Sequence, residues 1–334
     1  MAPRPGTPSA KTVLLIAAKL AISALLLFSI FKRVGWGQVV DAIRHARPEW
    51  FAAALGVMLA SNLMGAYQWN RLLRGAGIAL PFWKTVSYYH VGLFFNNFTP
   101  ANVGGDFARV LDASRAGHSR ATAFSTVLLD RLIGTVALGA LAVVTTLPAI
   151  DHFHLALVYA GLLGFFVLSL TLLWAIFHPR LLAAIERALS RVGLGRLKPG
   201  LDELAESLAG FRNQRRLFME LFIVALMTQV LRIGVHILTA RALGIRVETS
   251  YFFLFVPALA VIVSLPISFN GIGLREWAGA LFFDLVRLPH DKAVALQSAT
   301  YVVSFIVSLI GGVVFLARIP HRRAEVRSSR RLPE

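Results

Sequence analysis

The sequence predicts an all-α fold: a polytopic transmembrane helical bundle of about six full spans plus two re-entrant, broken-helix hairpins in an inverted repeat. Three observations lead to this prediction. Hydrophobic residues make up 57% of the chain and charged residues only 15%, whereas soluble domains carry about 25% charged residues. Several apolar segments are long enough to cross a bilayer, and two further segments are interrupted. Charge-poor segments recur along the whole chain, so no soluble domain is expected.

Six segments have the length of a membrane-spanning helix, since about 20 apolar residues cross the hydrocarbon core. Four of them contain no Asp, Glu, Lys or Arg, and the first contains only Lys19. The fifth contains Glu220 and Arg232. The first segment is longer than a signal-peptide core and lacks a small-residue cleavage site, so we expect a retained anchor. The predicted spans are 12–31, 50–70, 132–150, 155–177, 219–240 and 293–317.

The distribution of Lys and Arg indicates the orientation, because cytoplasmic loops are enriched in both. The polar stretch 178–216 carries eight of them and the tail 318–334 carries six, so we expect both in the cytoplasm. The N-terminal tail 1–11 is expected there too, which leaves 12–317 as the transmembrane domain of a bacterial inner-membrane protein. Apolar residues at helical spacing within 178–216 predict helices on the inner leaflet, with a docking surface for a partner protein as the alternative.

Two further apolar segments, 82–108 and 251–288, must each enter and leave the membrane on one side if this orientation is right. The simplest structure is a pair of half-helices, opening to the cytoplasm in the first case and to the outside in the second. Each segment contains a proline, then a glycine pair, then an acid and an arginine, and proline and glycine favour helix breaks at Pro100 and Pro266. Matched broken helices are typical of transporter binding sites; kinked helices or ordinary loops are the alternative.

The charged residues at these breaks are the first candidates for a binding site, since charges inside apolar segments are costly and usually functional. Arg109 and Arg275 are predicted to contact a lipid phosphate, because guanidinium is always charged and can bind phosphate with two hydrogen bonds. Asp106 and Glu276 are expected to pair with these arginines, to bind a cationic headgroup or to carry a coupling proton. Buried structural ion pairs that hold the two hairpins together are the alternative for all four residues.

Glycines and amides near the breaks extend the candidate site, because free backbone amides at helix ends bind phosphate. Asp130 and Arg131 begin a predicted span, where an interfacial helix cap is the alternative role. Arg232 lies well inside its span and is expected to face the bundle with an acidic partner. The remaining predicted headgroup-binding residues are Asn97, Gly104, Gly105, Asp130, Arg131, Asn270, Gly271 and Gly273.

The absence of several residue types and motifs from the sequence excludes some classes of function. The chain contains no cysteine, which excludes disulfides, thiolate catalysis and cysteine metal sites. The histidines lack the spacing of metal ligands, and no phosphate-binding loop motif is present, so no metal or other cofactor is expected. The net charge of +17 is explained by basic loops beside anionic headgroups, so nucleic acid is not an expected partner.

Three motifs in series give the chain a resemblance to a known family. They are the stretch with Pro100, Gly104, Gly105, Asp106 and Arg109; the run Leu129, Asp130 and Arg131; and the run from Pro266 to Arg275 and Glu276. In order and spacing these motifs resemble those of the lysylphosphatidylglycerol synthase transmembrane-region family, and the resemblance covers roughly residues 10 to 320. The family includes the flippase half of the multiple peptide resistance factor. The resemblance implies a membrane protein that moves a lipid headgroup between leaflets.

We therefore expect a non-enzymatic lipid translocase whose partners are membrane lipids, either an anionic phospholipid or a polyprenyl-linked lipid. No aminoacyl-transferase domain follows the membrane region in this sequence, so lysyl transfer is not expected. A non-transporting membrane partner of a separate lipid synthase or glycosyltransferase, docked through 179–216, is the main alternative. A membrane-embedded lipid enzyme with Asp106 or Glu276 as general base is a further alternative.

Overall fold

The computed structural model describes residues 46–99, 103–115, 119–178, 198–264 and 274–329, together with Arg44 and Arg187, and describes side chains as far as Arg318. Within these residues all regular secondary structure is helical, as predicted. The helices are α1 (Pro48–Gly75), α2 (Phe82–Asn96), α3 (Val103–Ser114), α4 (Arg120–Thr146), α5 (Ala156–Ala175), α6 (Lys198–Phe211), α7 (Arg215–Ala242), α8 (Thr249–Ser264), α9 (Leu274–Asp284) and α10 (His290–Ser329).

Five helices are long and apolar enough to cross a membrane. They are α1, α4 with the 3-10 turn that follows it, α5, α7 and the part of α10 up to Arg318, with lengths of 20 to 30 residues. At about 1.5 Å per residue each reaches roughly 30 Å, the thickness of the hydrocarbon core. The prediction of a polytopic helical membrane protein is confirmed by these five spans, while the predicted first span, 12–31, lies outside the described residues.

Helix α4 begins at Arg120, so the prediction that a span begins at residue 132 is wrong. Ser119 caps the helix: its hydroxyl accepts a 3.0 Å hydrogen bond from the backbone amide of Thr122. Counting uncharged residues made the predicted span begin too late, because Asp130 and Arg131 are charged. Both lie in the middle of α4, where ion pairs with another helix neutralise them.

The two predicted hairpins are present as pairs of short helices. The first, α2 with α3, and the second, α8 with α9, each pack helix against helix. These helices have 15, 12, 16 and 11 residues, so each is about 17–24 Å long and shorter than the hydrocarbon core. The predicted helix breaks at Pro100 and Pro266 lie outside the described residues.

The two hairpins open to opposite faces of the bundle, as the predicted inverted repeat requires. Arg318, towards the C-terminal end of α10, forms a 3.0 Å ion pair with Asp112 near the end of α3 and a hydrogen bond with Ser87 near the start of α2. The open end of the first hairpin therefore lies beside the C-terminal end of this span. The second hairpin ends at Asp284, a short turn before α10 begins at His290, so its open end lies at the other face.

Helices α1 and α7 pack together as an antiparallel pair. The backbone amide of Arg47 donates to the carbonyl of Ala242 at one end (2.8 Å), and the Gln214 amide donates to the carbonyl of Gly75 at the other (3.3 Å). Each end of the pair is thus fixed by a hydrogen bond between helices.

Helix α6 packs its apolar face against the same chain. Leu208 and Phe211 are buried in a cluster with Leu72 of α1, Leu129 of α4 and Leu221 of α7. Leu208 and Phe211 are thus covered by neighbouring helices, while the position of this region on the inner leaflet stays a prediction. Apart from Arg187, residues 179–197 lie outside the described residues.

Close helix packing in this bundle depends on glycine, and α10 meets α2 at Gly311. A Cβ atom there would overlap the backbone carbonyl of His90, and backbone cannot move aside as a side chain can. Small residues let membrane helices approach in this way. We expect Gly311→Ala to lower the free energy of unfolding by about 1–3 kcal/mol, as overpacking generally does, measured as a lower melting temperature in detergent.

Gly161→Ala in α5 is the matched control, since nothing lies within 4 Å of the added methyl group. Alanine has the higher helix propensity, so this variant should be as stable as the natural protein or slightly more stable. Equal melting temperatures for the two variants would contradict the close contact at Gly311.

Candidate functional site

A cavity of about 440 Å³ lies where the two hairpins meet the long helices. Its wall includes residues from the central turns of α1, α7 and α10, so the cavity lies near mid-depth of the bundle. Hairpin 1 contributes Asn96 and Asn97 at its tip, and hairpin 2 contributes Ser264 and Arg275 on either side of its tip. A volume of this size is typical of small-molecule sites.

The charges of the first hairpin pair with α4 in a crossed arrangement. Arg109 Nη2 lies 2.6 Å from Asp130 Oδ2, and Arg131 grips Asp106 with two hydrogen bonds of 2.8 and 2.9 Å. The predicted pairing of Asp106 with Arg109 is only a secondary contact of 3.8 Å. Two pairs therefore join α3 to α4, and the interfacial role considered for Asp130 and Arg131 is wrong, since both lie in mid-helix.

Arg109 is enclosed on nearly every side. Its guanidinium lies 4.3 Å from the ring centre of Trp69 and 4.9 Å from that of Tyr89, and the residue is only 5% exposed. Aromatic faces attract a guanidinium through their quadrupole. Arg109 belongs to the cavity wall, where Asp130 and the two rings hold its guanidinium, while its Nε has no hydrogen-bond partner among the described residues.

Helix α1 fixes the acid that holds Arg109. Gln68 Nε2 donates to the second carboxylate oxygen of Asp130 (2.8 Å), and the indole of Trp69 donates to Thr126 of α4 (3.1 Å). Both oxygens of Asp130 are thus hydrogen-bonded to protein groups. The pair is a rigid part of the wall, shared by α1, α3 and α4.

The tip of hairpin 1 is closed by its own side chains. Thr99 Oγ1 accepts a hydrogen bond from the amide of Gly104 (2.9 Å), and Asn96 Oδ1 accepts one from the amide of Gly105 (2.9 Å). The expectation of free phosphate-binding amides is therefore corrected at these two glycines, because both amides are occupied. Asn97 Nδ2 donates to Ser308 of α10 (2.8 Å), which links the tip to the last span.

Gly105 has a packing role that its sequence motif did not reveal. A Cβ atom there would overlap the carbonyl of Gly92 and the side chain of Asn96, so only glycine lets α2 and α3 approach this closely. This close packing places Arg109 of α3 in the cavity wall. The corresponding residues of the second hairpin, Asn270, Gly271 and Gly273, lie outside the described residues.

Arg275 is the charged residue that hairpin 2 contributes to the cavity. It is the second residue of α9, and its guanidinium lies 5.3 Å from the ring centre of Tyr301 on α10. Glu276 follows it in the chain but is not part of the cavity wall. The two predicted arginines, Arg109 and Arg275, therefore border the same cavity from opposite hairpins.

Arg232 of α7 is exposed to the cavity. Within the described part of the chain it forms no ion pair, so the expected acidic partner is not found there. Sequence reasoning placed it in the bundle but did not include it in the headgroup site.

An uncharged polar wall was also missed from the sequence. Single Asn, Gln, Ser and Thr residues in apolar spans look unremarkable, but helical spacing would have grouped them, since residues three or four apart share a face. On α7, Thr228, Gln229 and Arg232 have this spacing, and α10 carries a similar row. The row on α10 is Thr300, Tyr301, Ser304 and Ser308.

Comparison with known proteins identifies the family. The chain is 23% identical to a UPF0104 membrane protein of Pyrococcus horikoshii over 88% of this chain and 95% of that protein. It is 25% identical to one of Methanocaldococcus jannaschii over 91% of this chain and 93% of that protein. The family model described as lysylphosphatidylglycerol synthase TM region matches residues 16–312. The chain therefore belongs to the lysylphosphatidylglycerol synthase transmembrane-region family.

Proposed function

We propose that this protein is a lipid translocase that moves an anionic phospholipid or a polyprenyl-linked lipid between the leaflets of a bacterial inner membrane. One observation carries the proposal: two half-length hairpins from opposite faces meet at the same charged cavity near mid-depth of the bundle. Secondary transporters bind their substrates at such a position, where broken helices of inverted repeats meet. A headgroup bound there is equally distant from both leaflets.

Charge in the cavity supports a headgroup as the ligand. Four arginines border it, Arg109, Arg131, Arg232 and Arg275, against one lining acid, Asp130. Isolated charges at membrane depth are costly and usually mark a substrate path. An anionic group entering from the bilayer surface would be attracted to this excess of positive charge, while its acyl chains remain in the lipid.

Transport requires the cavity to open to each leaflet in turn, and the ligand must bind the two states differently to drive the change. Hairpin 1 has contacts that would have to break. Its tip is tied to α10 through Asn97 and Ser308, and its base through Asp112 and Arg318. We propose that hairpin 1 parts from α10 when the cavity opens.

Catalysis is not part of the proposal. Asp130, which lines the cavity, and Asp106, which pairs with the cavity-lining Arg131, each hold an arginine at 2.6–2.9 Å. All four carboxylate oxygens of these two acids already accept hydrogen bonds from Arg109, Arg131 or Gln68, so neither acid is placed to take a proton from a substrate.

Leaflet access in proteoliposomes tests the proposal. Vesicles with the purified chain would contain a fluorescent phosphatidylglycerol or a polyprenyl-phosphate sugar, with and without a pH gradient. Albumin added outside extracts outer-leaflet lipid, so continued extraction beyond the outer half reports transport. We expect protein-dependent extraction for at least one of these lipids. If correctly folded protein moves neither, the translocase is refuted and a non-transporting partner of a lipid synthase or glycosyltransferase takes its place.

Orientation is a separate prediction, with both termini in the cytoplasm. Because the natural chain has no cysteine, single variants can be labelled without background. Lys84 lies near the start of α2 and Lys292 near the start of α10, and both are exposed. In intact cells a membrane-impermeant maleimide should label Lys292→Cys, whereas Lys84→Cys should react only after lysis. The reverse pattern would invert the orientation, and equal labelling would contradict opposite entry of the hairpins.

A further inference from the structure

Arg232 is a membrane-region arginine that forms no ion pair with the described residues. The acids that the structure describes within the long helices and hairpin 1 away from helix ends all have arginine partners. These pairs are Asp106 with Arg131, Asp130 with Arg109, Asp112 with Arg115 and Arg318, and Glu220 with Arg71. Arg232 shares the cavity with two of these pairs but takes part in none of them. Its charge is therefore left for a ligand.

The sequence segments that connect the two helices of each hairpin contain no acid that could pair with Arg232. Residues 100–102 and 265–273 contain no Asp or Glu, and neither does the predicted first span, 12–31. The nearest acid in sequence beyond hairpin tip 2 is Glu276, which is not part of the cavity wall. None of these segments therefore adds a carboxylate.

Two amide side chains beside Arg232 open on the cavity without a protein partner among the described residues. Asn62 of α1 is 6% exposed and Gln229 of α7 is 8% exposed, and both line the cavity. Neither forms a side-chain hydrogen bond with the described residues. Buried amides are nearly always hydrogen-bonded, so two that face a cavity indicate a ligand or water with hydroxyl-type donors and acceptors.

We propose that the cargo lipid binds with its phosphate at Arg232 and with an uncharged, hydroxyl-bearing headgroup against Asn62 and Gln229. This inference rests on the proposed function and defines its substrate class. Amide groups both donate and accept hydrogen bonds, which matches glycerol or sugar hydroxyls. The site discriminates against a cationic aminoacyl headgroup, because the one acid in the described cavity wall, Asp130, is already paired with Arg109.

Charge repulsion is the reason that a cationic headgroup would bind poorly in this cavity. An ammonium group within the cavity would lie among four arginines, and like charges repel strongly where water is scarce. The lining acid Asp130 and the acid Asp106 behind Arg131 are both engaged with arginines at 2.6–2.9 Å, so breaking one pair to bind the ammonium would leave an arginine unpaired. A hydroxyl-bearing headgroup requires neither change.

Binding to the full-length protein in detergent tests the inference without any need for transport. Titration calorimetry would compare four probes: dioctanoyl phosphatidylglycerol, a short-chain prenyl-phosphate glucose, dioctanoyl lysylphosphatidylglycerol and glycerol 3-phosphate. We expect one of the first two to bind, and lysylphosphatidylglycerol to bind at least tenfold more weakly. Arg232→Gln should weaken the better probe by about tenfold to a hundredfold, the range for losing a hydrogen bond to a charged group.

Arg241→Gln is the matched control, since it removes the same charge from the same helix at a residue that does not line the cavity, and it should leave the affinity unchanged. If Arg232→Gln fails to fold, Arg232→Lys is the second variant. It keeps the charge but lacks the planar guanidinium that donates two hydrogen bonds to phosphate, so it should weaken binding several-fold.

Three results would overturn the inference. Neither uncharged-headgroup lipid binds, or lysylphosphatidylglycerol binds as tightly as the better of them, or the Arg232 and Arg241 variants have equal affinities. Glycerol 3-phosphate binding as tightly as the lipids would make a soluble phosphate ester the ligand instead. A protein that binds phosphatidylglycerol through Arg232 but moves no lipid would refute the translocase and leave the binding site standing, so the two failures are distinguishable.

Discussion

Replacing Asp130 by asparagine is expected to lower the free energy of unfolding by about 3–5 kcal/mol, the usual cost of removing one partner of a buried ion pair. Asparagine has nearly the same shape, so the loss reports charge alone. It would leave Arg109 almost fully buried between Trp69 and Tyr89 with only a weak contact to Asp106 at 3.8 Å. Thermal melting in detergent, followed by the loss of the folded gel-filtration peak, measures the effect.

Asp106→Asn is the matched control for Asp130→Asn. Its partner Arg131 has a side chain that is 39% exposed, so solvent or lipid headgroups can replace part of the lost interaction. We expect a loss of about 1 kcal/mol, in the range of exposed pairs. The double variant with Asp130→Asn and Arg109→Met should regain stability, because no buried charge remains unpaired. Equal losses for the two single variants would show that the buried pair is not the stronger one.

Arg275→Gln is expected to reduce the rate of lipid transport at least tenfold without loss of the folded protein. Arg275 brings the positive charge of hairpin 2 to the cavity and lies against the ring of Tyr301. A hydrogen bond to a charged group contributes about 1.5–3 kcal/mol, and about 1.4 kcal/mol corresponds to a tenfold change in an equilibrium constant. Initial rates in the albumin assay, normalised to the amount of inserted protein, provide the measurement.

Arg246→Gln controls for the loss of one positive charge near hairpin 2. Arg246 is exposed in the loop before α8 and does not line the cavity, so its variant should transport at the natural rate. If Arg275→Gln inserts, melts normally and transports as fast as Arg246→Gln, the cavity end of hairpin 2 is not part of the transport path.

The spans and hairpins were largely predictable from the sequence, because they depend on local properties. Runs of uncharged residues gave four described spans, and the run that contains Glu220 and Arg232 gave a fifth. Basic loops then required the two remaining apolar segments to return to the side they entered. The prediction fails at Asp130, because a charge in a sequence indicates the end of a membrane span unless its partner is known, and Arg109, the partner of Asp130, lies on another helix.

The pairing of Arg109 with Asp130 and of Arg131 with Asp106 could not be derived from sequence spacing. Asp106 and Arg109 are three residues apart on one helix, the usual spacing of a local pair. The partner that Arg109 selects, Asp130, is 21 residues away, and its position depends on how α3 packs against α4. That packing depends in turn on Gly105, whose lack of a side chain was interpreted as exposing a phosphate-binding amide. Sequence motifs identified most of these residues, but the tertiary structure determined what each one contacts.

The uncharged residues of the cavity could not be predicted from the sequence either. Asn62 and Gln229 belong to different helices and to no motif, so only the antiparallel packing of α1 on α7 brings them together. Arg232 drew attention as a charge inside a span, and its expected acidic partner is absent from the described residues. An arginine whose partner is not found is the feature that points most directly to a ligand.

A reversible cross-link tests the central claim, that hairpin 1 parts from α10 when lipid crosses. The natural chain has no cysteine, so any cross-link is the engineered one. In Asn97→Cys/Ser308→Cys the two positions already contact each other, with Asn97 Nδ2 2.8 Å from Ser308 Oγ. The control Ser125→Cys/Ser207→Cys joins α4 to α6, whose hydroxyls lie 2.7 Å apart and outside the cavity.

Lipid transport by both double variants would be measured by albumin extraction under reducing conditions, after oxidation, and after reduction again. The account predicts that oxidation stops transport by Asn97→Cys/Ser308→Cys, that reduction restores it, and that the control pair transports at the same rate in every condition. Full-rate transport by protein whose hairpin tip is completely cross-linked to α10 would contradict the account.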